Sequence, residues 1–88
     1  MNIKVLGPGC ARCQLLEKMV KEVVSALKVD ATIEDVKEMK KIMEYQILMT
    51  PGLVINEKVV MSGKVPTKAE IEQLIINAMA AEKSPKNK

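Results

Sequence analysis

The stretch Ile3-Lys4-Val5-Leu6-Gly7-Pro8-Gly9-Cys10-Ala11-Arg12-Cys13 sets the architecture of the chain around it. Residues 3–6 form a short apolar run that reads as a strand, and Gly7-Pro8-Gly9 supplies a tight turn into a helix. The two cysteines of the chain both lie at the head of that helix. A helix begins with unpaired backbone N–H groups and a partial positive charge, which favour a thiolate over a thiol at Cys10. On a helix, residues i and i+3 have Cα atoms roughly 5 Å apart, inside the range a disulfide bridges without moving the backbone. Closing so short a loop stabilises the chain by only about 2 kcal/mol, which suits a disulfide that opens and closes. The Gly-x-Gly is read as a turn, because no Gly-Lys-Ser/Thr follows it to complete a phosphate loop.

Outward from this stretch, the chain reads as helix over residues 10–28. Cys13, Leu16, Val20, Val23, Val24 and Leu27 repeat at helical spacing as the buried stripe, and Glu17, Lys18, Lys21, Glu22 and Ser25 face water. Cys13 lies on the stripe and Cys10 ahead of it, so the two thiols are expected to differ in exposure. Residues 31–36 read as a second strand. A short helix over about 37–46 follows, with Met39, Ile42, Met43 and Ile47 on one face. Met49-Thr50-Pro51-Gly52 breaks any helix and leads into a strand at 53–56, and residues 59–62 return across Asn56-Glu57-Lys58 as a hairpin. Thr67, with Glu70 three residues on, matches a capping box and opens a last helix whose inner face is Ile71, Leu74, Ile75, Ala78 and Met79. The order β-α-β-α-β-β-α implies an α/β fold, a four-stranded mixed sheet with helices on both faces.

Composition narrows the chemistry. An 88-residue chain is one small domain, here expected over residues 1–82, followed by a disordered basic tail at 83–88. His, Trp and Phe are absent and Tyr45 is the one aromatic residue, so the core must be aliphatic and methionine-rich. Without His there is no Ser-His or Cys-His nucleophile pair and no imidazole ligand for a metal. Without aromatic platforms, single-stranded nucleic acid is not an expected partner. The net charge of +3 is modest, and the basic residues of the first helix alternate with acids, as in a possible Glu17–Lys21 i,i+4 pair. The opening residues lack the pattern of a signal peptide, and no run is long enough to span a membrane. The expected compartment is the cytosol, where a close cysteine pair is redox-catalytic or metal-binding rather than structural.

The Cys-x-x-Cys between first strand and first helix, joined to Thr50-Pro51-Gly52-Leu53-Val54-Ile55-Asn56 about forty residues later, resembles the thioredoxin fold. More narrowly, the chain is similar to the small, glutaredoxin-sized redox-active disulfide proteins of the thioredoxin-like superfamily. The resemblance implies thiol-disulfide exchange with Cys10 and Cys13 as the reacting pair and no cofactor. It implies that Pro51 is cis and faces the disulfide, leaving the Thr50 backbone to pair with an extended substrate segment, although only about 5% of X-Pro bonds in folded proteins are cis. Arg12, inside the motif, is expected to help lower the Cys10 pKa and to be a substrate contact beside Thr50 and Pro51. The implied partners are client protein disulfides and a thioredoxin-reductase-type electron donor rather than glutathione, since Ser62-Gly63-Lys64-Val65-Pro66 only partly matches a glutathione-binding segment. A monomer is expected. Thioredoxin carries a buried acid near its second cysteine; the first strand here has none, so water is expected to carry the proton. The alternative is a Cu(I) or Zn carrier using the two thiolates, against which stand the absence of a Met two residues before Cys10 and a helix where carrier domains end in a strand. A structural zinc site would need a dimer, and a binding module with inert cysteines leaves their placement unexplained.

Overall fold

The computed structural model describes residues 1–47 and 49–83. The elements run β1 (Asn2–Leu6), α1 (Ala11–Leu27), β2 (Thr32–Val36), α2 (Met39–Met43), β3 (Gly52–Ile55), β4 (Lys58–Ser62) and α3 (Lys68–Lys83). The sheet order is β2-β1-β3-β4, with β1 parallel to β2, antiparallel to β3, and β3 antiparallel to β4. This is the expected four-stranded mixed sheet. Of the expected tail at 83–88, Lys83 is the last residue of α3, and residues 84–88 lie outside the described residues.

Alternation along the central strands assigns the two faces. Ile3 and Val5 of β1 and Leu53 and Ile55 of β3 point to one side, where Leu16, Val20 and Val23 of α1 and Ile71 and Ile75 of α3 cover them. Leu6 and Val54 point to the other, against Val36, Ile42, Tyr45 and Ile47. Strand β3 is buried at every position, because it is central and covered on both faces, so it reads as a continuous apolar run rather than an alternating one. The α2 face is closed at its rim by three polar side chains. Lys4 Nζ donates to Tyr45 Oη and to Glu57 Oε2, each at 2.9 Å, and Tyr45 Oη donates to Glu57 Oε1 at 3.0 Å. The Lys4 pKa is raised, first by Tyr45 and then by Glu57, so this lysine remains a cation throughout the ordinary pH range.

Helix α2 is shorter than the expected 37–46, and residues 44–46 continue as turns. Ile42 is buried and Ile47 half-buried, but Met39 and Met43, expected on the same inner face, are 55% and 65% exposed. A helix of five residues makes less than one and a half turns and so presents a single position to the sheet. Ile42 occupies it, and Tyr45 and Ile47 fill the space beside it. On α1, Val24 and Leu27 are only half-buried at the edge of the main core.

The capping box forms as expected. Thr67 N donates to Glu70 Oε1 at 2.9 Å, and Glu70 N donates to Thr67 Oγ1 at 3.2 Å. Replacing Thr67 with alanine is expected to cost about 1 kcal/mol, read as a lower denaturant midpoint at unchanged slope. The Glu70 pKa is lowered, first by the Thr67 backbone N–H. Its share of the cap is therefore present above the unfolded-state carboxyl pKa and disappears as pH falls through the lowered folded value.

Candidate functional site

The end of β1 places the cysteines. Gly7 N donates to Val36 O at 2.9 Å, which carries the β1–β2 pairing one residue past the strand. Gly9 then takes φ of +103°, a left-handed conformation that favours glycine, and turns the chain into α1. Cys10 is the cap residue of that helix, with extended φ and ψ. Its Sγ accepts from Cys13 N at 3.4 Å, the bond that a serine or aspartate oxygen makes at other helix starts. Gln14 N donates to Cys10 O at 3.0 Å, and Gln14 Nε2 to Gly9 O at 3.1 Å, which holds the turn against the first helical residues.

Cys10 is exposed, whereas Cys13 is 4% exposed, and the two sulfurs lie 2.7 Å apart. The environments push the two thiols in opposite directions. The Cys10 pKa is lowered, first by the Cys13 thiol and then by the Cys13 backbone N–H. The Cys13 pKa is raised, first by burial and then by the hydrogen bond with Cys10. When the pair loses its first proton, the exposed sulfur is therefore favoured over the buried one to carry the charge. The cause differs in part from the expectation. Arg12 is exposed and contributes its backbone N–H to lowering the Cys10 pKa, while the largest influence is Cys13 itself. In reduced protein, alkylation of Cys10 is expected to titrate with a midpoint below the free value of about 8.5. Cys13→Ala is expected to move that midpoint upward, measured by mass spectrometry of iodoacetamide adducts across pH.

The Thr50–Pro51 peptide bond is cis and Pro51 is buried. Leu6 pairs with Gly52 across β1 and β3, so the residues next beyond this pair, Gly7 and Pro51, face each other at the sheet end that carries the cysteines. Gly63 N donates to Pro51 O at 2.9 Å and fixes the proline from the β4 side. Thr50 is half-buried at the same end. The structure therefore brings Cys10, Cys13, Thr50 and Pro51 to one end of the sheet, with Arg12 exposed in the first turn of α1.

The chain bends at residues 7–9 as the sequence leads one to expect, and Gly7 takes part without a left-handed φ. Its role is space, because a Cβ at Gly7 would overlap Cys13 Sγ. Two further residues were missed. Glu17 and Asp35 line a small cavity that Cys13 also lines, and Asp35 comes from β2 rather than from the first strand. No local pattern marks Asp35; only the β1–β2 register brings it there.

A thioredoxin-domain family model matches residues 1–76. The chain is 40% identical over 75 residues to a thioredoxin of Methanothermobacter thermautotrophicus, covering 85% of this chain and 97% of that protein. It is 34% identical over 71 residues to a thioredoxin of Methanocaldococcus jannaschii, covering 81% of each. In fold, it is similar to thioredoxin 1 from the thermophilic eubacterium Thermosipho africanus, with a TM-score of 0.63 at 15% identity over 96% of this chain and all of that one. These matches do not favour the metal-carrier alternative. With a reactive cysteine pair at the head of α1 and relatives matched along most of their length, this chain belongs to the thioredoxin family and is a thiol-disulfide oxidoreductase.

Proposed function

We propose that Cys10 is the attacking thiolate and Cys13 the resolving thiol in the reduction of client protein disulfides. The single observation that carries this division is the opposite placement of the two sulfurs, one exposed with its pKa lowered, the other buried with its pKa raised. Cys10 thiolate displaces one sulfur of a client disulfide as a thiolate and forms a mixed disulfide. Cys13, on losing its proton, attacks Cys10 Sγ, which releases the second client sulfur and leaves the Cys10–Cys13 disulfide. The Thr50 backbone, beside Pro51, is the edge on which an extended client segment pairs, and Arg12 is a contact on the exposed rim. The protein acts as a monomer in the cytosol, and no helix among the described residues is long and apolar enough to cross a membrane.

A thioredoxin-reductase-type enzyme returns two electrons to the Cys10–Cys13 disulfide. Turnover of a protein disulfide such as insulin tests the pairing, run once with such a reductase and NADPH and once with glutathione at equal reducing potential. The reductase is expected to sustain the faster turnover. Equal or faster turnover with glutathione would reverse the assignment of the donor while leaving the exchange chemistry intact.

A further inference from the structure

The sheet end opposite the cysteines carries a groove between the β3–β4 hairpin and the second half of α3. Asn56 N donates to Asn2 O at 2.7 Å, which places the hairpin turn beside the start of β1, whereas Cys10 and Cys13 follow the end of that strand. In the first half of α3, Ile71 and Ile75 are fully buried and close the helix onto the sheet. Further along, the positions that front the hairpin are Leu74, Ala78 and Ala81, at i, i+4 and i+7 on one helix face. An alanine side chain ends at Cβ, so this half of the helix does not fill the space to Ile55 and Val60, and an apolar groove of about 390 Å³ stays open. From Leu74 to Ala81 it follows the helix for about 10 Å.

The polar groups at its rim are donors. Lys58 pairs with Ile55 across the hairpin, so its side chain projects to the α3 face beside that isoleucine. It forms no ion pair among the described residues. On the helix side, Asn77 is exposed and its Oδ1 accepts from Gln73 Nε2 at 2.8 Å, which leaves the Asn77 amide N–H groups for a ligand. No carboxylate among the described residues lines the groove. The adjacent Glu57 carboxylate is held on the α2 side by Lys4 and Tyr45.

We infer that this groove binds a medium-chain alkyl carboxylate, its chain along the face of Leu74, Ala78 and Ala81 and its head group on Lys58, with Asn77 as a second donor. The volume lies at the lower end of the range for small-molecule pockets, which suits a single alkyl chain. An apolar floor with an ammonium and an amide donor at the rim complements an apolar ligand that carries one negative charge. The chain supplies most of the affinity, since each methylene buried strengthens binding about fourfold. The exposed ammonium contributes about threefold and selects the sign of the head group. The groove and the cysteines lie at opposite ends of the sheet, so the ligand does not occupy the site of disulfide exchange.

Titration of isotope-labelled protein with octanoate at neutral pH, followed by amide chemical shifts, tests the inference. The shifts are expected to centre on the hairpin and on residues 74–81, with a dissociation constant below about 1 mM. Hexanoate, two methylenes shorter, is expected to bind about tenfold more weakly. Lys58→Gln should weaken octanoate about threefold, and octylammonium, with the same chain and the opposite charge, should bind about tenfold more weakly than octanoate to the wild-type protein. Ala81 is exposed, so Ala81→Leu places a side chain in the groove without burying it in the core. That variant should lose the octanoate shifts while reducing a protein disulfide at the wild-type rate, and Ala78→Leu should lose them as well. Equal binding of octylammonium, unchanged affinity in both leucine variants, or shifts spread over other exposed apolar positions such as Leu15 and Met43 overturns the inference. The same shifts arising from a higher protein concentration without octanoate would assign the groove to a second copy of the chain, and would overturn it equally.

Discussion

Cys10→Ser is expected to abolish disulfide reduction, with turnover falling by at least about 10³-fold, because a serine hydroxyl at this position is neither ionised nor nucleophilic enough to open a disulfide. Cys13→Ser is expected to fail differently. Its Cys10 still sits at the start of α1, with the backbone N–H of residue 13 directed at its sulfur. The first exchange should therefore proceed, and the product should stop at a mixed disulfide in which one client sulfur remains bonded to Cys10. Intact-mass analysis reads this directly as protein plus client mass, reversible by dithiothreitol. Both single variants lose steady-state turnover, so the discriminating quantity is the covalent adduct. Equal adduct on Cys10→Ser would mean that the buried sulfur attacks first, against its 4% exposure and its raised pKa. The overall fold should be untouched in both variants, since the serine hydroxyl keeps the cap geometry at position 10 and removes no large apolar group at position 13.

The sequence made the attacking end of this site legible because its determinants are local. Strand, glycine turn, cap cysteine and helix lie within eleven consecutive residues, and the i,i+3 spacing alone brings the sulfurs together. The Thr67–Glu70 capping box and the Glu17–Lys21 ion pair were legible for the same reason, as interactions within one helical turn. What was hidden depends on contacts between distant segments. Asp35 reaches the Cys13 cavity through the parallel register of β2 on β1, and a search for an acid confined to the first strand could not meet it. The Lys4–Tyr45–Glu57 cluster joins three segments far apart in the chain. Met39 and Met43 satisfied a helical period, yet their helix is too short to bury more than Ile42. Periodicity identifies which residues share a face, and only the packing partner decides how wide a face is covered.

Gly7→Ala is expected to separate the two halves of the catalytic cycle more sharply than its single added methyl suggests. The new Cβ would overlap Cys13 Sγ and stand 3.0 Å from Cys13 Cβ, so one of the two residues must move. Neither backbone is free to do so. Gly7 is held by its bond to Val36 O and by the β1 strand behind it, and Cys13 is carried on a helix anchored to the sheet by Leu16 and Val20. The thiol itself must therefore rotate away from Cys10. A misplacement of about 1 Å costs an in-line exchange roughly 10²-fold, and overpacking of this kind destabilises by about 1 to 3 kcal/mol. The second sulfur release should slow by about that factor while the first persists, so the mixed disulfide should become visible even with both cysteines present. The Cys10 alkylation midpoint should rise as well, because the displaced Cys13 sulfur is the largest cause of its lowered pKa. Gly9→Ala supplies the contrast. Nothing lies within 4 Å of a Cβ there, but its φ of +103° strains any other residue, so that variant should lose about 1 to 2 kcal/mol while keeping the sulfurs adjacent. A Gly7→Ala protein that resolves its mixed disulfide at the wild-type rate would show that Cys13 reaches Cys10 by a path the glycine does not guard.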